Sequence, residues 1–198
     1  MREIKAVIAL RAKEEALPKL SDESVATACS TGDPAAVAEL FTRFQAPVTG
    51  YLSRLVPSRV DVEDLLQTTF LQIAKGRARY EGRASVRTWL FGIATNVVKH
   101  HRRSGARFLR LLDAARREPC PRPPSLAEES DAKRMLRRVE LALGSLSRDQ
   151  RFAFVLCEVE GLSAREAALV LETSEQAVWR RVSDARRALR SLVLREES

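Results

Sequence analysis

Between Arg83 and Leu112 the chain has no aspartate or glutamate, and within that window lies Ser85–Arg103, SVRTWLFGIATNVVKHHRR. Val86, Trp89, Leu90, Ile93, Ala94 and Val97 recur at helical spacing, so one face of the segment must meet a core. Ser85 is placed to cap the start, and no proline interrupts the run. The opposite face carries Arg87, Thr88, Thr95, Asn96, Lys99, His100 and Arg103. A helix apolar on one side and cationic on the other has to lie between a protein core and an anionic surface. Nucleic-acid phosphate is the commonest such surface in a cell.

Composition narrows the partner without choosing it. The formal charge is +8 over 198 residues, with 45% hydrophobic and 30% charged residues, as in a globular chain with one mid-sized or two small cores. Such a charge suits nucleic acid or an acidic membrane surface. No apolar run approaches a membrane span, and the five-residue run near the N-terminus is too short for a secretory segment. Cys29, Cys120 and Cys157 are odd in number and lack a CxxC spacing, which disfavours a disulfide framework or zinc site and suits a reducing cytoplasm. Cys29 and Cys157 are expected to be small buried residues. The adjacent His100 and His101 point to different helix faces, so no metal site and no cofactor is expected. No nucleophile–base set, phosphate loop or paired-carboxylate signature marks an enzyme.

Taken in order, the chain is expected to be all-α: two small helical domains joined by a proline-rich linker, the second containing a helix-turn-helix. Residues 1–20 form an N-terminal extension with Pro18 as a breaker. The first domain spans 21–103. Within it, a short helix follows Ser21-Asp22, and Asp33 caps a helix begun by Pro34, with Val37, Leu40, Phe41 and Phe44 inward. Pro47 is expected to open a separate helix. Asp61 is expected to cap VEDLLQTTFLQIAK, with Val62, Leu65, Leu66, Thr69, Phe70 and Ile73 on its apolar face. Lys75–Arg87, KGRARYEGRASVR, is a basic loop. The linker covers 104–127 and includes PCPRPP. In the second domain, 128–198, capping boxes at Ser147–Gln150, Ser163–Glu166 and Thr173–Gln176 punctuate the helices. They leave a short helix, Ala164–Leu171, a tight turn and a longer helix from Glu175 to Leu194. Ala177, Val178, Val182, Ala185, Leu189 and Leu192 form the inward stripe of that last helix.

The two cationic regions differ in chemistry. Arginines on a helix-turn-helix second helix can bond guanine edges bidentately, worth about 1–3 kcal/mol per contact against a wrong base. The region 75–103 interleaves Tyr80, Trp89 and Phe91 with cations. Aromatic platforms in a basic groove suit unstacked bases, at about 1–3 kcal/mol each, although Trp89 and Phe91 also suit core packing. Asn96 reads a base edge or makes a local backbone bond.

These motifs together resemble the extracytoplasmic-function sigma factors, two-domain bacterial transcription initiation factors, over Asp22 to Leu194. Val62–Lys75 resembles the family's core-polymerase-binding helix. Arg87–Arg103 resembles its promoter-melting and minus-ten-reading segment, and Leu146–Leu189 its minus-thirty-five-reading domain. The resemblance implies that Asp64, Leu65, Gln67 and Phe70 contact polymerase. It implies minus-ten contacts from Arg77, Tyr80, Arg87, Trp89, Asn96, Lys99, His100 and Arg103, with the loop cradling an extruded base. It implies minus-thirty-five contacts from Trp179, Arg180, Arg181, Ser183, Arg186 and Arg187. Implied partners are bacterial core RNA polymerase, promoter DNA and an anti-sigma factor. The protein is expected to act as a monomer in the cytoplasm, or held at the inner membrane by the anti-sigma factor, with no membrane insertion and no catalysis of its own. No self-regulating C-terminal extension is expected. Asp184 departs from the family pattern; it reads a cytosine amino group or pairs with Arg180 or Arg187. Trp179 is also unusual at a groove-facing site. Rival readings are a dimeric helix-turn-helix repressor or activator, against which the lack of a sustained heptad speaks, and an RNA-binding adaptor using the basic loop.

Overall fold

The computed structural model describes residues 20–56, 59–113 and 142–196. The N-terminal extension, the proline-rich stretch with Cys120, and the start of the second domain lie outside the described residues, as do the side chains of Arg103 and Leu192. Every regular element among the described residues is helical.

In the first unit, α1 (Asp22–Ser30) begins where the Ser21 hydroxyl accepts the Ser24 N–H. Helix α2 (Pro34–Leu55) begins where the Asp33 carboxylate accepts the Ala35 N–H at 2.9 Å, with Pro34 first in the helix as expected. Arg43 ties the two together, bonding Asp22 and Glu39, each at 2.8 Å.

Pro47 does not open a new helix; it lies inside α2. It has no N–H for the carbonyl one turn back, a defect of about 3 kcal/mol in an isolated helix. Leu40, Phe44, Val48, Tyr51, Leu52 and Leu55 are all buried on either side of it. At about 1.5–3 kcal/mol per buried large side chain, this stripe outweighs the defect and keeps the helix whole.

Helix α3 (Arg59–Ala74) starts before Asp61, which therefore serves the first turn and not the cap. On its expected apolar face Val62, Leu65, Thr69, Phe70 and Ile73 are buried and Leu66 is half-buried. Helix α4 (Val86–Asp113) is capped by Ser85, whose hydroxyl accepts the Thr88 N–H at 3.1 Å. It continues ten residues past Arg103, because GARFLRLLD contains no proline and good helix formers follow its single glycine. Leu90, Phe91, Ala94 and Val98 close the core against α2 and α3.

Thr88 and Thr95, expected on the polar face of α4, are buried instead. The Thr95 hydroxyl donates to the Phe91 carbonyl at 2.7 Å, so the Tyr51 phenol donates to Thr95 across 2.6 Å. With both hydroxyls satisfied, polar groups enter the core without the penalty of an unmade bond. Burial pushes the Tyr51 phenol up, against the Thr95 hydrogen bond.

In the second unit, α5 (Arg148–Phe154) runs into a π-helical turn, Val155–Val159, in which the Glu160 N–H reaches the Val155 carbonyl at 2.9 Å. Gly161, at φ +73°, turns the chain out of it. Helix α6 (Ala164–Leu171) and α7 (Glu175–Glu196) follow as a helix-turn-helix. The capping boxes at Ser147 and Ser163 both form.

The third box does not form. Glu172 adopts left-handed backbone at φ +55°, and the Thr173 N–H closes the preceding helix on the Ala168 carbonyl. Ser174 is then the residue whose hydroxyl accepts the Ala177 N–H. Val178, Val182 and Ala185 are buried, with Ala177 and Leu189 half-buried. Cys29 is fully buried, which pushes its thiol up to about 12, whereas Cys157 is only half-buried.

Candidate nucleic-acid interface

The basic loop between α3 and α4 is anchored at Tyr80. The Tyr80 N–H donates to the Ser30 hydroxyl at 2.9 Å, and its phenol donates to the Ala84 carbonyl at 2.8 Å. The Tyr80 ring meets Trp89 edge to face at 5.3 Å. These two half-buried aromatics wall a cleft of about 280 Å³ that also takes in Arg79, Asn96 and Leu169. Phe91 has no part in it: fully buried, it stacks at 4.6 Å on Tyr51. Of the three aromatics flagged in the sequence, two form a platform and one is core.

A second cleft, about 440 Å³, opens between α3 and α4 and is lined by Asp64, Gln72, Arg77, Asn96, His100 and His101. Residues assigned from sequence to polymerase and to DNA therefore share one wall. His101 Nε2 stands 3.9 Å from the Asp61 carboxylate. Lys99 is half-buried alongside.

The polymerase set splits. Asp64 is exposed and Gln67 half-buried, but Leu65 and Phe70 are 1% and 2% exposed. Phe70 sits edge-on to Phe41 at 5.0 Å. Leu65 and Phe70 thus fix the pose of α3 and leave the contact surface to their polar neighbours.

On α7, Trp179 is 60% exposed, with Arg180 and Ser183 also facing outward. Three other arginines hold acids of their own unit: Arg181 to Asp149 at 3.3 Å, Arg186 to Glu158 at 2.7 Å and Arg187 to Asp184 at 3.5 Å. The last contact selects Arg187 as the partner of Asp184.

Arg87 and Asn96 both have partners on the second unit. Arg87 lies over the Phe91 ring at 5.1 Å and binds the Glu160 carboxylate at 2.6 Å and its carbonyl at 3.2 Å. Arg54 joins the same carboxylate at 3.1 Å. Thr88 donates to Glu166 at 3.4 Å, and the Asn96 side-chain amide donates to Glu172 at 3.3 Å. Sequence reasoning missed these three acids. Glu166 was legible as a capping residue, but nothing local signals a partner 73 to 106 residues away.

Comparison with known proteins now bears on this geometry. The family model for Sigma-70 region 2 matches residues 40–108, and that for Sigma-70, region 4 matches residues 136–189. RNA polymerase sigma factor CarQ of Myxococcus xanthus is 36% identical over 156 residues, covering 78% of this chain and 87% of that one. The chain belongs to the extracytoplasmic-function sigma factors. The ECF RNA polymerase sigma-E factor of Escherichia coli K12 is 30% identical over 179 residues, covering 86% of this chain and 93% of that one.

Among solved structures, the sigma factor RpoE of Bartonella quintana, in complex with the anti-sigma factor NepR, superposes with a TM-score of 0.64 at 25% identity. The match covers 78% of this sigma factor and 94% of that chain. CnrH, in complex with the cytosolic domain of CnrY, gives 0.65 at 26% identity, covering 89% and 99%. Region 2 of this sigma factor corresponds to the unit built on α2 to α4, and region 4 to the unit carrying the helix-turn-helix.

Proposed function

We propose that this sigma factor brings bacterial core RNA polymerase to promoters by reading a melted minus-ten strand with its first unit and duplex minus-thirty-five DNA with its second. The observation that carries this reading is the presence of two cationic faces of different chemistry, one on each helical unit. One is an aromatic-walled cleft beside Asn96; the other is a helix-turn-helix whose second helix exposes Trp179, Arg180 and Ser183.

In this reading Tyr80 and Trp89 stack an extruded base while Asn96 reads its edge, with Arg77, Arg87, Lys99, His100 and Arg103 holding the backbone. Flipping costs a few kcal/mol of stacking, which the cleft returns, so melting and recognition are one event. Helix α7 lies in the major groove, where Arg180 reads bases and Arg181, Arg186 and Arg187 hold phosphates. Asp64 and Gln67 on α3 meet the polymerase, with Leu65 and Phe70 behind them. The first domain runs from residue 21 to the end of α4, the linker follows, and the second domain begins near 128.

The protein acts as a monomer in the cytoplasm, where its polymerase is, and performs no chemistry itself. The sigma factor RpoE of Bartonella quintana, caught with the anti-sigma factor NepR, supports control of this chain by a protein of that kind.

The test is reconstitution with bacterial core polymerase. Co-migration with the core enzyme and new transcript start sites are expected. Binding to duplex DNA as a dimer, with no effect on polymerase, would favour a free-standing regulator. Absence of any preference for two spaced promoter elements would favour an RNA adaptor.

A further inference from the structure

Helix α4 contains no acid between Arg83 and Leu112, yet Arg87, Thr88 and Asn96 have carboxylate partners supplied by the second unit, while His101 faces Asp61 of the first. We infer that Glu160, Glu166 and Glu172 make the second unit an internal competitor for DNA, closing the minus-ten face until the two units separate. This inference rests on the reading of α4 as the minus-ten reader.

Four observations converge on it. The Glu160 carboxylate is 6% exposed and accepts from both Arg54 and Arg87, so it occupies the place a phosphate would take between two guanidiniums. Glu172 presents a carboxylate oxygen to the Asn96 amide, the group proposed to read a base acceptor. It does so from backbone at φ +55°, a conformation that disfavours glutamate. Leu169, an apolar side chain 53% exposed on α6, stands at the cleft walled by Tyr80 and Trp89, where a stacked base would enter.

The closure is built to be reversible. Arg54 and Arg87 keep 40% and 45% of their side-chain surface in water, so both rehydrate readily when Glu160 leaves. The π-helical turn that delivers Glu160, the helix that carries Glu166 and the turn that delivers Glu172 all belong to the second unit, so the three carboxylates leave together when that unit moves away.

Closure is also one-sided. Trp179, Arg180 and Ser183 stay exposed, so the closed molecule leaves the minus-thirty-five helix open while the minus-ten face is shut. Apparent affinity for single-stranded DNA then equals the intrinsic affinity multiplied by the open fraction.

The experiment compares the full-length wild type with Glu160→Gln/Glu172→Gln, which keeps shape and removes two carboxylates. The first readout is the distance distribution between spin labels at Glu63→Cys and Ser183→Cys, with Cys120 and Cys157 replaced by serine. A compact distribution in the parent that becomes broad and longer in the variant is expected; an unchanged distribution overturns the inference. The second readout is binding of a dye-labelled single-stranded dodecamer of random sequence. At least a fivefold gain in affinity is expected, whereas the charge-matched control Glu23→Gln/Glu63→Gln should stay within twofold of wild type. Opening without that gain, or an equal gain in the control, overturns it. Should the double variant fold poorly by circular dichroism, Glu172→Gln alone supplies the same readouts from an exposed position, with at least a twofold gain expected. Co-migration with core polymerase is measured in parallel; its loss in wild type would defeat the sigma-factor reading and leave the closure result standing.

Discussion

Helices α4 and α7 carry similar loads of cations, yet they stand differently toward solvent. On α7, Arg181, Arg186 and Arg187 are balanced by acids of the same unit, and Trp179, Arg180 and Ser183 remain open. On α4, Arg87, Thr88 and Asn96 take their acids from the other unit. A cation neutralised within its own unit keeps its orientation when the molecule opens, and it can exchange its acid for phosphate in place. A cation neutralised from across the molecule becomes available only when the two units part. The number of arginines on a helix therefore says little about whether it can bind; where their counter-charges are anchored says more.

The sharpest way to break the comparison is through the aromatics. Phe91→Ala removes a ring fully buried against Tyr51 and should cost the first unit about 3–5 kcal/mol, whereas Trp179→Ala should change stability by less than about 0.5 kcal/mol. Urea denaturation followed by circular dichroism checks both; equal losses would mean that Trp179 is a core residue like Phe91. Asn96→Ala should lose discrimination at one minus-ten base, by about 1–3 kcal/mol, in competition binding to melted templates. A uniform loss on all sequences would make Asn96 structural.

A buried hydroxyl pair gives a smaller effect. Tyr51→Phe leaves Thr95 without its donor and should cost about 1–2 kcal/mol, read from the first unit's unfolding midpoint. For α7, Arg186→Ala should weaken upstream-element binding and lower the salt slope by about one, since one phosphate contact is lost. An unchanged slope would mean that Arg186 serves only Glu158.

Smallest is the cap of α6. The Ser163 hydroxyl and N–H hold the Glu166 carboxyl below its ordinary value of 4.5, with a further hydrogen bond from Thr88. Because the folded-state value is depressed, this contribution is complete above the ordinary value and fades as the pH falls through the depressed one. Ser163→Ala should cost about 1 kcal/mol at neutral pH and flatten the acid limb of the second unit's stability curve. A parallel limb in wild type and variant would break that link.

Much of the fold was legible because its signals are local. Caps at Asp33, Ser85, Ser147 and Ser163 act within one turn, and the stripes of α3 and α7 repeat at the helical period. The misreadings came where a distant contact overruled a local rule. Pro47 stayed inside α2 because burial on both sides outweighed its missing bond. Thr95 turned inward because Tyr51, 44 residues earlier, gave it a partner. The third box failed for a local reason instead: Glu172 took left-handed backbone, and Thr173 gave up its cap to Ser174. Among candidate site residues, those on α7 came from the resemblance, while periodicity supplied the inward stripe that leaves Trp179, Arg180 and Ser183 outside. Leu65 and Phe70 were legible as core by the same rule, and their assigned contact role came from resemblance alone.

The sequence by itself determined the helices, their order and the two cationic faces, since spacing, capping and charge are written into neighbouring residues. Only the tertiary structure decided which of those faces is covered. That outcome depends on carboxylates brought to α4 from residues 160 to 172, and no local pattern encodes a hydrogen bond across so long a stretch of chain.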